Sequence, residues 1–488
     1  MANKPTGKPV RTSRSGGASS GKKAVTVRSR SSLGRDPVRL GPDDSDDSDL
    51  KGLDKAVALV TNGSPVSKGS IDGSSTKPVD YSGIRCLLNP VWCYYGFIIS
   101  VTGLTLFGLL MVFSSSAVDM LAKSMPTWSE LLSQTAFAVL GCVIGFILSK
   151  IPVKVFRKLS KIAIIFGIVG QLATMIPGIG SEAGGNIGWV DLGVVRFQPA
   201  EILKWVLIIW MPASLLASRA TAKRTVKRKP LLSFNSPPWM RKIGRIVERF
   251  VPRQYWAPIF GFTLAFLAVL VGRDLGTGMI VVLIGAVVLL VGGFPLRMFV
   301  VLGGIGAAGI VLAFVTGSSN RMSRIMATYG ECSTADLTGV CYQSIHGTYA
   351  LASGGLTGVG LGNSREKWNY LPAAHNDFIF AVIGEELGFL GACAVILGFV
   401  IMGWCMINIA VRHQDAYARM VIMAFTVWLV GQALVNIAVV VGLLPVMGLP
   451  MPFISSGGTA MIMCLAAAGT VVSMARSQTE IKAAVSHI

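Results

Sequence analysis

The chain has 488 residues, of which 52% are hydrophobic and only 14% charged, and its formal net charge is +20. That balance excludes an ordinary soluble globule and indicates a polytopic membrane protein. In such a protein a positive surplus belongs to cytoplasmic loops, so it implies no nucleic-acid partner.

Residues 1–88 are rich in Ser, Gly, Lys and Arg and carry an acidic run from Asp43 to Asp49. They bury too little apolar surface to offset their ordering entropy and are predicted to form a disordered, basic cytoplasmic tail. No short apolar core with a cleavage site follows the basic start, so the tail does not read as a signal peptide. Its basic half suits contact with anionic membrane lipid. The membrane domain is assigned to 89–476, and 477–488 form a short cytoplasmic tail.

An apolar run of about 20 residues crosses a bilayer. About ten such runs are predicted, at roughly 93–115, 130–149, 161–178, 199–218, 255–271, 275–294, 297–316, 378–403, 418–441 and 456–475. The predicted fold class is therefore an all-α polytopic integral membrane protein, with a large extracytoplasmic loop between helices 7 and 8. Basic residues concentrate in alternate connections: Lys150 to Lys161, Arg219 to Arg253, Arg297, and Arg412 to Arg419. The positive-inside rule places those connections and both termini in the cytoplasm.

The outer connections hold the unusual polar residues. The second runs from Gly184 into the next helix as GGNIGWVDLGVVRFQPAEILK. In it Gln198, Glu201 and Lys204 recur every third residue on one side of a helix that has Pro199 in its first turn. A Glu and a Lys one turn apart can neutralise each other in the membrane, which is the structural alternative to a functional role. The third connection carries Arg273 and Asp274 in GRDLGTG. The fourth carries Arg321, Arg324, His346, Arg365, Lys367, His375 and Asp377, and the fifth ends in GLPMPFISSGG with Ser455 and Ser456. Together with Arg196, the cations suggest an outward-facing site for an anionic ligand, because a guanidinium fork can hold two phosphate oxygens. Cys332 and Cys341 share the fourth loop and are predicted to pair, since such compartments permit disulfides. Most of the other cysteines lie in apolar runs, and no Cys/His spacing suggests zinc. The glycine-rich stretch Gly354 to Ser364 lacks the Walker spacing, so no ATP site and no organic cofactor are expected.

The stretch Tyr370 to Gly388, YLPAAHNDFIFAVIGEELG, passes from a polar segment into an apolar helix. If the helix starts near Asp377 at a membrane surface, Glu385 and Glu386 lie roughly 12 Å deeper. Ionisable groups at such depth mark a functional path or a paired interior site. The competing reading makes Asp377 a helix cap, and Glu385 and Glu386 are expected to be structural or helix-packing polar groups.

Four blocks, VDLGVVRFQPAEILK, RDLGTG, GGLTGVGLGNSREKWNYLPAAHNDFIFAVIGEELG and GLLPVMGLPMPFISSGG, resemble the SEDS family of shape, elongation, division and sporulation proteins over about residues 90–476. MVFSSSAV, Met111 to Val118, is similar to the division-type branch. The resemblance implies a membrane-embedded peptidoglycan glycosyltransferase of the bacterial cell membrane. Such an enzyme polymerises lipid II, an undecaprenyl-pyrophosphate disaccharide-peptide, at the outer face during septal cell-wall synthesis. It implies as partners a cognate class B penicillin-binding protein and other division-complex proteins. It matches Asp377 to the family's essential loop aspartate, Glu201 and Lys204 to its polar helix pair, and Asp274 to its RDLG-type aspartate. The chain departs from the family pattern at Gly188, at Gly272-Arg273 and at Ser456. Chemically, a carboxylate beside the acceptor hydroxyl can take its proton. Arg, Lys or a divalent cation such as Mg²⁺ or Mn²⁺ can stabilise the leaving pyrophosphate. A lipid II flippase suits the same intramembrane charges, and a division scaffold is a third reading.

Overall fold

The computed structural model describes residues 87–183, 186–191, 193, 196–224, 251–301, 303–304, 328–330, 340–368, 370–372 and 374–485. Among them, helix α1 (Pro90–Ala122) begins where Asn89 accepts a hydrogen bond from the Val91 N–H and Pro90 takes the first helical position. Helices α2 (Ser129–Lys150) and α3 (Val153–Ala173) follow, separated at Ile151-Pro152. A three-stranded antiparallel meander then interrupts the helices: β1 (Gly180–Ala183), β2 (Asn186–Asp191) and β3 (Arg196–Phe197). The expected all-α class is corrected at this point. The second connection folds into a small sheet, with Gly180 opposite Val190 and Asp191 opposite Arg196. Alternation over so few residues was too short to read as strands.

Helices α4 (Pro199–Arg224), α5 (Trp256–Val271) and α6 (Leu275–Val291) come next, and α7 (Val340–Ser353) precedes the Asp377 segment. Then come α8 (Ile379–Arg412), α9 (Ala416–Thr426), α10 (Gln432–Val440), α11 (Gly458–Arg476) and α12 (Thr479–Val485). One π-helical turn, Val427–Gly431, joins α9 to α10. Seven of these helical stretches are long and apolar enough to cross a membrane, and α6 is a shorter apolar helix. The predicted span at 297–316 lies largely outside the described residues. Large apolar side chains stand exposed along α1, α2, α3 and α5, including Ile99, Phe146, Phe166 and Phe260. A water-exposed protein does not tolerate apolar surface on that scale, whereas a lipid-facing one requires it.

Packing between helices relies on small residues. Gly141 and Gly145, four apart on α2, face α11, and a Cβ at Gly145 would lie 2.6 Å from the Leu465 carbonyl. Close backbone approach of this kind is how membrane helices gain contact without a hydrophobic drive.

The predicted span at 378–403 falls in an apolar helix long enough to cross a membrane, and that helix is broken within it. Gly388 (φ 68°, ψ −166°) divides α8. Every residue from Ile379 to Glu386 is buried in protein, whereas beyond the break Phe389, Leu390, Leu397, Val400 and Trp404 are exposed. Only the second part therefore carries a lipid-facing stripe. Gly388 occupies left-handed backbone that a side chain disfavours. The 355–360 loop clamps the break through Phe389 N–H to Gly355 O at 2.9 Å and Gly360 N–H to Glu386 O at 3.0 Å.

Candidate active site

The connections predicted to share one face do converge at one end of the molecule. Ile187 N–H donates to Gly272 O at 3.1 Å, joining the sheet to the α5–α6 turn. Gln198 donates from Nε2 to Asp274 Oδ2 at 3.0 Å, and its N–H donates to Thr459 Oγ1 at 3.2 Å. Asp274 is the N-cap of α6, accepting from the Thr277 N–H at 3.0 Å and the Thr277 hydroxyl at 2.8 Å. Arg273 beside it is exposed, in left-handed backbone at φ 60°. Arg196 is exposed as well, its guanidinium 5.1 Å from the Trp189 ring centre.

Asp377 lies in the turn before α8, half-buried. The N-cap position of that helix is Phe378, one residue further on, and not Asp377 itself. Instead the backbone around Asp377 is pinned at three successive carbonyls. His375 O accepts from the Ser456 N–H at 2.9 Å, Asn376 O from the Ser455 hydroxyl at 2.7 Å, and Asp377 O from Asn436 Nδ2 at 2.8 Å. The pins are themselves held. Gln134 donates to Ser455 O at 3.2 Å and accepts from the Gly457 N–H at 3.1 Å. Ser456 donates to Glu130 Oε1 at 2.5 Å, and Asn436 also donates to Leu449 O at 2.8 Å. The Asp377 carboxylate faces Gly448, where a Cβ would stand 3.7 Å from Oδ2. Two residues before it, His375 Nδ1 stands 3.4 Å from Asp119 Oδ2 at the end of α1, beyond hydrogen-bond distance.

Glu201 and Lys204 form a buried ion pair 2.7 Å apart. Lys204 also donates to Gln432 Oε1 at 2.9 Å and lies 4.8 Å from the Trp428 ring centre. Trp428 is in the π-helical turn and donates to the same Gln432 oxygen at 3.1 Å. Gln432 in turn donates to Pro450 O at 2.7 Å. The charged pair is thus linked through one amide to the loop that pins Asp377.

Lys367, expected among the ligand-facing cations, is buried and paired with Glu386 at 2.8 Å. Ser114 donates to Glu386 Oε2 at 2.6 Å, and Lys367 donates to Ser114 O at 3.2 Å. Glu385 accepts from the Ser364 hydroxyl at 2.5 Å and the Arg365 N–H at 2.8 Å. Both glutamates act as packing groups: Glu385 ties the loop to α8, and Glu386 joins Lys367 of that loop to Ser114 on α1. Arg365 is exposed, and His346 pairs with Glu366 at 2.5 Å. Arg321, Arg324 and Cys332 lie outside the described residues, and Cys341 is disulfide-bonded.

Among the described residues no three His, Cys, Asp or Glu side chains converge as a metal cage. Nearby carboxylates are engaged elsewhere, Glu130 with Ser456 and Asp274 with α6. The described residues do not fit a dedicated divalent-cation site.

A family model described as cell cycle protein, covering FtsW, RodA and SpoVE, matches residues 95–480. The chain belongs to this FtsW/RodA/SpoVE family. The probable peptidoglycan glycosyltransferase FtsW of Mycobacterium tuberculosis is 32% identical over 451 residues, 92% of this chain and 79% of that protein. Stage V sporulation protein E of Bacillus subtilis is 32% identical over 370 residues, 76% and 93% of the two chains. Two solved structures share the fold. A chain from a peptidoglycan synthase complex that coordinates polymerization and crosslinking gives a TM-score of 0.59 at 21% identity, over 79% of this chain and 98% of that one. RodA of Thermus thermophilus gives 0.54 at 21% identity, over 79% and 97%.

Within this FtsW/RodA/SpoVE chain, sequence reasoning missed Asp119, Glu130, Gln134, Gln432 and Asn436. A signal for some of them was present: Gln432 and Asn436 are isolated polar residues in apolar runs, where an unpaired group is costly.

Proposed function

We propose that this family member is a peptidoglycan glycosyltransferase that polymerises lipid II at the outer face of the bacterial cell membrane during septal wall synthesis. The observation that carries the reading is the Asp377 turn. It holds a half-buried carboxylate on backbone fixed at three consecutive carbonyls, where the motif-bearing connections meet. The names of the relatives support the transferase over a flippase or a scaffold. Fixed geometry matters because a general base must stand within hydrogen-bond reach of the proton it removes.

In this reading Asp377 accepts the proton of the acceptor sugar hydroxyl as its oxygen bonds to the donor's anomeric carbon. The bond from that carbon to the pyrophosphate oxygen breaks, and undecaprenyl pyrophosphate leaves with the electron pair. Exposed Arg273, Arg196 and Arg365 are cations that can meet the leaving charge. No step is routed through a metal. The buried Glu201–Lys204 pair and the Asp274 cap position the wall of the site without touching the reacting atoms. About ten spans, cytoplasmic termini and a class B penicillin-binding protein as partner belong to the same reading. The partner would bias the outer loop towards its productive form and raise turnover more than lipid II binding.

The test is glycan polymerisation from defined lipid II by the purified chain in complex with its transpeptidase. Asp377→Asn removes only charge and basicity and is expected to abolish product while membrane insertion stays intact. Wild-type turnover by folded Asp377→Asn protein would overturn the assignment of the base.

A further inference from the structure

His375 stands two residues before Asp377 on the same pinned turn, its own carbonyl accepting from the Ser456 N–H at 2.9 Å. Its imidazole lies against the last turn of α1, with Nδ1 3.4 Å from Asp119 Oδ2. That nitrogen is buried and has no hydrogen bond. The other nitrogen differs. The His375 side chain keeps 20% of its surface exposed, and Nε2 is neither buried nor bonded among the described residues.

The chemistry of the pair fixes which nitrogen carries the proton. An ionised carboxylate offers only lone pairs. A bare Nδ1 facing Asp119 would set lone pair against lone pair, so the proton sits on Nδ1 and the neutral ring presents Nε2 as an acceptor. A shift of about 0.5 Å brings the Asp119 contact into hydrogen-bond range, and contacts of this kind often tighten only when a ligand is in place. Two residues of chain span at most about 7 Å, and a disaccharide lying on the Asp377 carboxylate covers that distance. Nε2 in this form takes only donors. A sugar presents them as hydroxyl and amide groups, whereas a pyrophosphate oxygen is an acceptor and is refused.

We propose that Asp119 is a positioning residue that holds His375 in its Nδ1-protonated tautomer, so that Nε2 accepts a hydrogen bond from a hydroxyl or amide N–H of the lipid-linked sugar. The inference rests on the glycosyltransferase reading of the same turn and assigns its two ends: the arginines meet the pyrophosphate, and His375 meets the sugar.

The first measurement needs no turnover. The full chain carrying isotope-labelled histidine is reconstituted in lipid vesicles at about pH 8, where ordinary imidazoles are neutral. Solid-state NMR reads the ring nitrogens, and the His375 signals are assigned by their loss in His375→Gln. The Nδ1-protonated form is expected in the wild type. Asp119→Ala is expected to shift it to the Nε2-protonated form that free imidazole side chains prefer. A wild-type ring protonated on Nε2 would overturn the proposal, and so would a ring unmoved by Asp119→Ala. The wild-type spectrum decides even where a variant fails to fold.

The second measurement follows lipid II polymerisation by the chain in complex with its transpeptidase. Asp119→Ala and His375→Phe are each expected to raise KM about tenfold with little change in kcat, the loss of one hydrogen bond made equally before and during reaction. Asp119→Asn keeps an oxygen for the Nδ1 proton and should recover most of that loss. In a His375→Phe chain, Asp119→Ala should cost nothing further, because the carboxylate acts only through the ring. Losses that multiply in the double variant, or no recovery by Asp119→Asn, would overturn the positioning role. A wild type that makes no product would overturn the polymerase reading and with it the sugar as ligand, while the tautomer result stands.

Discussion

Replacing Lys204 by Met puts the buried charge pair to a quantitative test. Lys204 has no exposed surface, and its ammonium has three partners: Glu201 at 2.7 Å, Gln432 at 2.9 Å and the Trp428 ring at 4.8 Å. Glu201 has fewer. Its second oxygen is buried without a partner among the described residues, so Lys204→Met leaves a carboxylate with nothing to answer it. Removing one member of a buried pair costs about 3–5 kcal/mol, and Lys204→Met belongs at the upper end of that range. Glu201→Gln belongs at the lower end, because the amide still offers an oxygen and the ammonium keeps Gln432 and Trp428. The double variant, Glu201→Gln with Lys204→Met, removes both charges. It leaves the Gln432 oxygen bonded to Trp428 Nε1 at 3.1 Å. Its cost should fall below that of Lys204→Met alone by about 2 kcal/mol, a factor of roughly 30 in the unfolding constant. Reversible unfolding of the purified protein in mixed micelles measures all four stabilities. Single effects that add to within about 0.5 kcal/mol would refute the coupling.

Asn436→Leu should leave the fold in place but release the Asp377 and Leu449 carbonyls; turnover should drop about tenfold or more while lipid II binding changes little, as single-turnover and binding assays would show. Gly388→Ala should fail to accumulate as folded protein, because a Cβ there would stand 2.6 Å from the Leu356 carbonyl at φ 68°; detergent size-exclusion profiles check this. Burial holds the pKa of His413 below the ordinary histidine range, opposed by the Met474 carbonyl and Asp415 and reinforced by Arg419. The folded state then binds fewer protons than the unfolded one, so stability should fall as pH drops below about 6.5, by at most about 1.4 kcal/mol per pH unit. His413→Gln should flatten that dependence in unfolding curves taken between pH 8 and 5.5.

The sequence exposed some of these relations because they are local. Glu201 and Lys204 stand one helical turn apart, so their spacing alone proposes the pair that the structure closes at 2.7 Å. The expectation that the motif blocks share one face came from charge in the connections, which is also a local property. What stayed hidden depends on contacts between distant segments. Hydropathy runs without interruption through Gly388, and only the 355–360 loop folded against it forces the break. Lys367 looks like a ligand-facing cation until Ser114 and Glu386 are brought to it from two helices. Asp119 gains a neighbour only when the His375 turn folds onto the end of α1.

The three pins on the Asp377 turn all grip the main chain, and they come from residues 59 to 81 positions further along. None of them reads the side chain of His375, Asn376 or Asp377. The shape of the turn is therefore encoded elsewhere in the gene, in Asn436, Ser455 and Ser456, while its chemistry is encoded in the turn itself. These three pins do not depend on which side chain position 377 carries. That separation makes it a natural port for chemical rescue or for an unnatural side chain that reports on the reaction in place.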